Sequence, residues 1–174
     1  MPISLYDASI PVFLRYLDRL RGLVDAAEAH VRAAGLDASE ILDARLAPDM
    51  LPFETQVRIA ANFALRASFP LARQEVPPYG EFPITFAGLR ACIDRAAALL
   101  GSLEADQFDR TIEGGNSCIL ESQAGNALVG LPAPEFLLHY ALPNFFFHLT
   151  MAYAIMRAQG VAIGKADFDG FHAY

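Results

Sequence analysis

"FLLHYALPNFFFHLTMAYAIM", residues 136–156, is the stretch that decides how this chain folds. It contains no Asp, Glu, Lys or Arg, and it is long enough to cross about 30 Å of hydrocarbon. Two histidines, an asparagine and a proline lie inside it, however, where polar groups are costly in lipid, and no basic cluster flanks it. We therefore interpret residues 134–159 as a buried helix of a soluble protein, closed by Gly160, and not as a membrane span.

Length and charge exclude several classes of protein. A chain of 174 residues is expected to form one domain, residues 1–174. It carries 20 acidic and 13 basic residues, a net charge of −7, and the basic residues do not cluster. This balance argues against a nucleic-acid-binding surface. Cys92 and Cys118 make neither a disulfide framework nor a zinc knuckle, and the N-terminus lacks a secretory pattern. A cytoplasmic protein with free thiols is the expectation.

Three further helices are predicted from the spacing of apolar residues. The first has apolar residues at alternating steps of three and four, which places them on one face: Ile10, Phe13, Leu17, Leu20, Val24, Ala27 and Val31. The second begins near Phe53 and continues into the low 70s, where Pro70 should kink or end it. The third is capped by Thr85, and its apolar face continues to Leu103.

Residues 111–131 break the helical spacing. Two apolar runs, "CIL" and "ALVGL", flank the turn-like "ESQAGN", a pattern typical of a hairpin. Four long helices with apolar faces and unequal connections indicate a helical bundle packed at shallow angles. We therefore predict an all-α fold, a four-helix bundle with a small β-hairpin inserted between the third and fourth helices.

The polar residues of the last helix are the candidates for chemistry. His139 and His148 lie nine residues apart, which is about 180° around an ideal helix, so they are not expected to share one metal ion. Asn144 and His148 lie four apart on one face, as two metal ligands on a helix do. An imidazole is a good ligand for zinc or nickel, but a carboxamide is a poor one. The alternative is that His148 is a hydrogen-bonded core histidine and that Asn144 packs beside it.

A family resemblance adds to this interpretation. The motif "LLHYALPNFFFHLTMAYAIMR" (137–157), "SLYDASIPVFLRYL" (4–17) and "RLAPDM" (45–50) resemble an uncharacterised bacterial family within the DinB and YfiT-like superfamily. The resemblance implies a four-helix bundle that is often dimeric. It also implies a divalent metal held by three histidines, two of them four residues apart on the last helix. Some members of the superfamily catalyse thiol-dependent transfer or isomerisation.

Transferred onto this sequence, the metal site of that superfamily is incomplete. His148 matches the second histidine of the last-helix pair, but the first falls on Asn144. The third ligand should come from the second helix, which has no histidine; Asn62 is the best-placed polar residue, and Gln56 is an alternative. One imidazole with two amides should hold a metal poorly unless a carboxylate such as Asp49 reaches the site. The resemblance therefore implies a degenerate metal site.

Three functions remain open at this point. The leading one is binding of a small ligand in a pocket around His148, kinked at Pro143, with Asn144, Asn62 and His139 as further contacts. The alternative is a divalent-metal- and thiol-dependent transferase or hydrolase that uses zinc or nickel. A pure oligomerisation module is the third.

Three smaller predictions complete the interpretation. His148 should have a polar partner, either Asn62, Asn144, a tyrosine, water or a weak metal. Cys92 should lie in the core, and Cys118, in the hairpin, should be more exposed. The three phenylalanines at 145–147 cover about 200° of the helix, more than one core face needs, so we predict a homodimer.

Overall fold

The computed structural model describes residues 3–108 and 119–173. Within them, four long helices and one hairpin form the fold, as predicted. The elements are α1 (Ile10–Ala34), α2 (Ser39–Leu42), α3 (Phe53–Leu71), α4 (Phe86–Leu100), a 3₁₀ turn (Ala105–Gln107), β1 (Ile119–Ala124), β2 (Ala127–Pro132), α5 (Ala133–Glu135), a π-helix (Phe136–Ala141), α6 (Leu142–Ala158) and α7 (Lys165–Asp169).

Helix α1 forms as its apolar spacing predicts. All seven residues of the predicted apolar face are buried, and Leu23 joins them. Pro11 lies in the first turn, where its missing N–H removes no helical hydrogen bond. Gly35 ends the helix at φ 67°, a left-handed conformation that glycine adopts without the steric cost of a Cβ atom.

Two proline- and threonine-directed boundaries are also confirmed. Helix α3 ends one residue after Pro70. Thr85 caps α4, since its hydroxyl accepts a hydrogen bond of 3.0 Å from the backbone N–H of Gly88. A Cβ atom on Gly88 would lie 2.0 Å from the carbonyl oxygen of Pro83. The chain entering α4 therefore packs directly on the backbone of the first turn of that helix.

The four long helices surround one core. Helix α3 packs most extensively on α6 and also on α4, and α4 packs on α1. Phe13, Phe53 and Phe145 are among the largest fully buried side chains. Leu103, the last residue of the predicted face of the third helix, is buried beyond the end of α4. This arrangement makes α3 the central contact helix of the bundle.

The hairpin lies where the sequence places it, but its turn is shorter than predicted. Strands β1 and β2 pair antiparallel, and the ladder ends at the pair Ala124 and Ala127. Only Gly125 and Asn126 form the turn, because "ESQA" continues the strand. Gly125 has φ 58°, which suits the first position of a type II′ turn. The start of the predicted hairpin, including Cys118, lies outside the described residues.

Helices α5 and α6 and the π-helix between them form one continuous helical stretch over 133–158. None of the helices within the described ranges is long and apolar enough to span a bilayer. The helix predicted to be buried is nevertheless only partly buried. Phe145 is fully buried and Phe146 partly, whereas Phe147 is 52% exposed and Leu138 55% exposed. The stretch buries one side in the bundle and leaves apolar side chains on the other.

Candidate functional site

The candidate site begins at the π-helical turn before Pro143. The backbone N–H of Leu142 bonds to the carbonyl of Leu137, five residues earlier, which is the π-helical pattern. Proline lacks an N–H, so the carbonyls before it lose regular helical partners. The side chain of Asn144, the next residue, donates a 2.7 Å hydrogen bond to the carbonyl of Tyr140. Short π-helical insertions of this kind are frequent at functional sites.

His148 lies one turn later and pairs with α3. Its Nδ1 is 2.7 Å from Oε1 of Gln56, a residue that is only 2% exposed. The Nε2 of the Gln56 amide donates to the carbonyl of Leu51 at 3.2 Å. His148 therefore has a polar partner as predicted, but the partner is Gln56, which was named only as an alternative to Asn62 for the third metal ligand.

This pair determines the tautomer of His148. The Leu51 carbonyl can only accept, so the NH₂ group of Gln56 faces Leu51 and its oxygen faces His148. His148 must then carry a proton on Nδ1 to donate to that oxygen. The neutral ring is left with a lone pair on Nε2. This atom has no hydrogen-bond partner among residues 3–108 and 119–173.

Aromatic rings surround the imidazole. Phe63 stacks on it with ring centroids 5.9 Å apart and an interplanar angle of 23°. Phe147 meets it edge-on at 5.2 Å. Burial lowers the pKa of His148, because desolvation disfavours the charged ring. The neutral form with a free acceptor is therefore the state that this environment favours.

The metal site implied by the resemblance does not fit these residues. Asn144 uses its amide nitrogen on Tyr140, and both polar atoms of Gln56 are engaged. Asp49 and His139 are solvent-exposed. The described part of the chain contains no group of three or more His, Cys, Asp or Glu residues placed to hold a metal ion. The imidazole of His148 is the one strong metal ligand left at this site, and a single such ligand does not hold zinc or nickel.

Asn62 lies elsewhere. It follows Gln56 by six residues, which places it about 120° around α3. There it lines a pocket of about 270 Å³ together with five other residues: Glu54, Thr55, Arg58, Ile59 and Tyr79. The structure therefore places Asn62 in a separate pocket, away from the pair formed by His148 and Gln56.

A third feature lies between α3 and the hairpin. Arg66 donates hydrogen bonds of 2.7 Å to the hydroxyl of Ser122 and to the carbonyl of Gln123. An open pocket of about 560 Å³ adjoins this contact. Both bonds come from Nη2 of Arg66, and they attach the hairpin to α3.

Two groups of residues escaped the sequence interpretation. Phe63 follows the apolar pattern of α3, and nothing in that pattern marks it as the ring stacked on His148. Glu54 and Arg58 are four residues apart, a spacing that predicts a helical ion pair, and this was the available signal for the pocket that they line. Cys92 is fully buried as predicted, with its Sγ 3.0 Å from the Tyr79 hydroxyl.

Comparison with known proteins agrees with this architecture. A solved structure of a DinB family member protein from Shewanella denitrificans superposes with a TM-score of 0.84 at 31% identity, over 98% of this chain and 94% of that chain. None of the curated proteins matches this chain. The family model described as a domain of unknown function (DUF1993) matches residues 5–169. The chain therefore belongs to this DinB-like family of helical bundles.

Proposed function

We propose that this protein binds a small ligand at His148. The observation that carries the proposal is the hydrogen bond from Nδ1 of His148 to Gln56, which fixes the neutral tautomer and leaves Nε2 as an acceptor. Nε2 is free to accept, so a ligand that brings a donor to this atom gains a hydrogen bond beside the aromatic rings. The rings of Phe63 and Phe147 offer apolar surface beside it.

The chemistry of the site defines the ligand class. Nε2 requires a neutral O–H or N–H donor, and the neighbouring rings favour a flat apolar group. Phenol combines both features in one small probe. Anisole keeps the ring and replaces the donor with a methoxy group, so it is the matched control compound.

Titrations followed by NMR of the His148 side chain test the proposal. Phenol should bind about fivefold more tightly than anisole, the value of one hydrogen bond. His148→Phe should remove this difference while it keeps a ring at the site. Gln56→Leu should weaken phenol binding because it releases the tautomer. Equal affinities for both compounds, or no effect of His148→Phe, would refute the proposal.

The metal- and thiol-dependent transferase or hydrolase is the competing function. It is separated by titrating untagged protein with Zn²⁺ and with Ni²⁺. About one tightly bound equivalent that disappears in His148→Ala would favour that enzyme and overturn the preference for a simple ligand site. The donor set described above predicts weak binding of either ion.

We further propose that the protein is a homodimer. Phe147 and Leu138 are both more than half exposed on the stretch that includes α6, and large exposed apolar side chains favour association. Because Phe147 also touches His148, a partner copy on this surface would border the ligand site. Light scattering at micromolar concentration should give twice the chain mass, and Phe147→Ser should shift the protein to a monomer. A monomer mass for the unmodified protein would contradict the proposal.

A further inference from the structure

The 270 Å³ pocket on α3 is built from a regular stripe of that helix. Residues 55, 58, 59 and 62 follow each other at steps of three, one and three, so they share one face. Tyr79, from the segment that precedes α4, forms the facing wall. The stripe presents polar and apolar groups side by side, as small-molecule sites do.

Glu54 has an unmet hydrogen-bonding requirement in this pocket. It is 7% exposed, although it carries a carboxylate. Its Oε1 accepts a hydrogen bond from the Thr55 hydroxyl. Its Oε2 is buried and accepts no hydrogen bond from the described residues; Nη1 of Arg58 lies 3.5 Å away, close enough for an ion pair. A buried carboxylate oxygen in this state favours a ligand that supplies an N–H donor.

Arg58 and Asn62 supply the opposite chemistry. The side chain of Arg58 is 36% exposed, and its guanidinium has five N–H donors, of which the Glu54 ion pair occupies few. Asn62 lies one turn further along the same face and makes no hydrogen bond within the described ranges. A guanidinium beside an amide is a suitable site for a carboxylate, which accepts from both.

The facing wall is neutral. The Tyr79 hydroxyl donates to the carbonyl of Arg58 at 3.3 Å, so in its contact with Cys92 the thiol is the donor. Burial raises the pKa of Tyr79 and of Cys92, which keeps both protonated. Tyr79 and Ile59 therefore contribute apolar surface and no charge to the pocket.

We propose that this pocket binds a small α-amino acid as a zwitterion. The ammonium group donates to Oε2 of Glu54, the carboxylate accepts from Arg58 and Asn62, and an aliphatic side chain packs on Ile59 and Tyr79. The two charges of an amino acid are one carbon apart, which matches the short separation of the Glu54 and Arg58 side chains. This site is separate from His148 and does not depend on the function proposed there.

L-leucine is the probe, measured by calorimetry on the full chain. Two related compounds each lack one charged group: isoamylamine lacks the carboxylate, and isocaproate lacks the ammonium. Leucine should bind at least about tenfold more tightly than either, because each loses a charged hydrogen bond. Three indistinguishable affinities, or no binding of leucine, would overturn the proposal.

Two variants should separate the roles of the charged residues. Arg58→Met should weaken leucine and isocaproate about tenfold and leave isoamylamine unchanged. Glu54→Gln should weaken leucine and isoamylamine and leave isocaproate unchanged. Arg95→Met, a change of an exposed arginine on α4, is the matched control and should alter none of the three affinities. Loss of this pattern would show that the charges do not bind the ligand.

Folding and independence from the His148 site are checked in the same series. Circular dichroism identifies any variant that unfolds, and if Glu54→Gln does so, Asn62→Ala replaces it. That change should weaken leucine and isocaproate about threefold, the value of one hydrogen bond. His148→Phe should leave leucine binding intact, and Arg58→Met should leave phenol binding intact. Failure of one site is thus distinguished from failure of the other.

Discussion

The contact between α1 and α4 differs in kind from the contact between α3 and α6. Along the first, Arg21 binds Asp94 at 2.9 Å, and Arg90 binds Glu28 at 2.8 Å and Asp25 at 3.2 Å. The hydrogen bond from Arg90 holds the pKa of Glu28 below its usual range. These pairs lie at the solvent-exposed edge of an apolar contact. Water can replace either partner, so each pair stabilises the fold little.

The α3 and α6 contact places neutral polar groups inside an aromatic surface. Gln56 forms a hydrogen bond with Nδ1 of His148, and Nε2 of the same ring makes none with the described residues. Gln56 is only 2% exposed, so its oxygen would lose its partner at a cost if the ring were removed. At these two contacts, ion pairs lie at the exposed edge, whereas uncharged and incompletely paired groups lie at the His148 site.

The three phenylalanines of α6 test the packing side of this comparison. Phe145 is fully buried. Its ring packs edge-to-face against Phe13, with the ring centroids 5.0 Å apart. Phe145→Ala should lower the free energy of unfolding by about 3 to 5 kcal/mol, because it leaves a large cavity. Urea denaturation measures the loss. Phe146 is only partly buried, so Phe146→Ala should lower the free energy of unfolding by less than Phe145→Ala does.

Phe147→Ala is the control for this series. Its side chain is half exposed, so the variant should lie within about 0.5 kcal/mol of the unmodified protein when measured at low protein concentration. Equal losses at 145 and 147 would mean that both rings are buried in solution and that the assigned faces of α6 are wrong.

The second test separates binding from stability at His148. His148→Ala should lower the free energy of unfolding by about 1 to 3 kcal/mol, because it leaves the buried oxygen of Gln56 without a donor. It should abolish the preference for phenol over anisole. Urea midpoints and NMR titrations measure the two effects. If the variant unfolds and leaves no binding to measure, the histidine is structural and not a ligand contact.

The third test uses the pKa of His148. Because burial lowers this pKa in the folded state, the unfolded chain binds the proton more readily. The stabilisation from the neutral ring is therefore complete above the unfolded pKa, about 6.5, and decreases as the pH falls below it. The urea midpoint of the unmodified protein should therefore decrease as the pH is lowered from about 7.5 to about 5.5. His148→Phe should reduce that fall; an identical pH dependence would contradict the assignment.

The smallest effect is expected at the α1 and α4 edge. Arg90→Met keeps the aliphatic stem and removes the ion pairs to Asp25 and Glu28. The free energy of unfolding should drop by less than about 1 kcal/mol, and high salt should abolish the difference. Arg95→Met on the same helix provides the baseline. A large, salt-insensitive loss at Arg90 would show that this edge resembles the α3 and α6 contact after all.

The sequence was sufficient to predict the helical bundle, because the spacing of apolar residues defines which face of a helix is buried. The apolar face of α1, the Thr85 cap and the end of α3 at Pro70 each follow from a local rule, and all are confirmed. The family resemblance is confirmed as well. These features need no knowledge of what packs against them.

The candidate site could be predicted only in part, because it depends on how two helices are rotated against each other. His148 was identified, but choosing between Gln56 and Asn62 required the rotation of α3, which the sequence does not specify. The π-helical turn adds one residue, and a constant step of about 100° cannot show it. Asn144 was a candidate ligand by its spacing of four from His148, and that spacing does not show that its side chain bonds to the Tyr140 carbonyl.

The close approach of Pro83 to Gly88 limits how this sequence can vary. Any side chain at position 88 would overlap a backbone atom, so no neighbour can move aside to accept it. The same chain segment carries Tyr79 onto Cys92, one turn further along α4, and thus supports the wall of the amino-acid pocket. A library randomised at position 88 should return glycine alone. Position 88 is thereby restricted to glycine, although this residue does not line the amino-acid pocket.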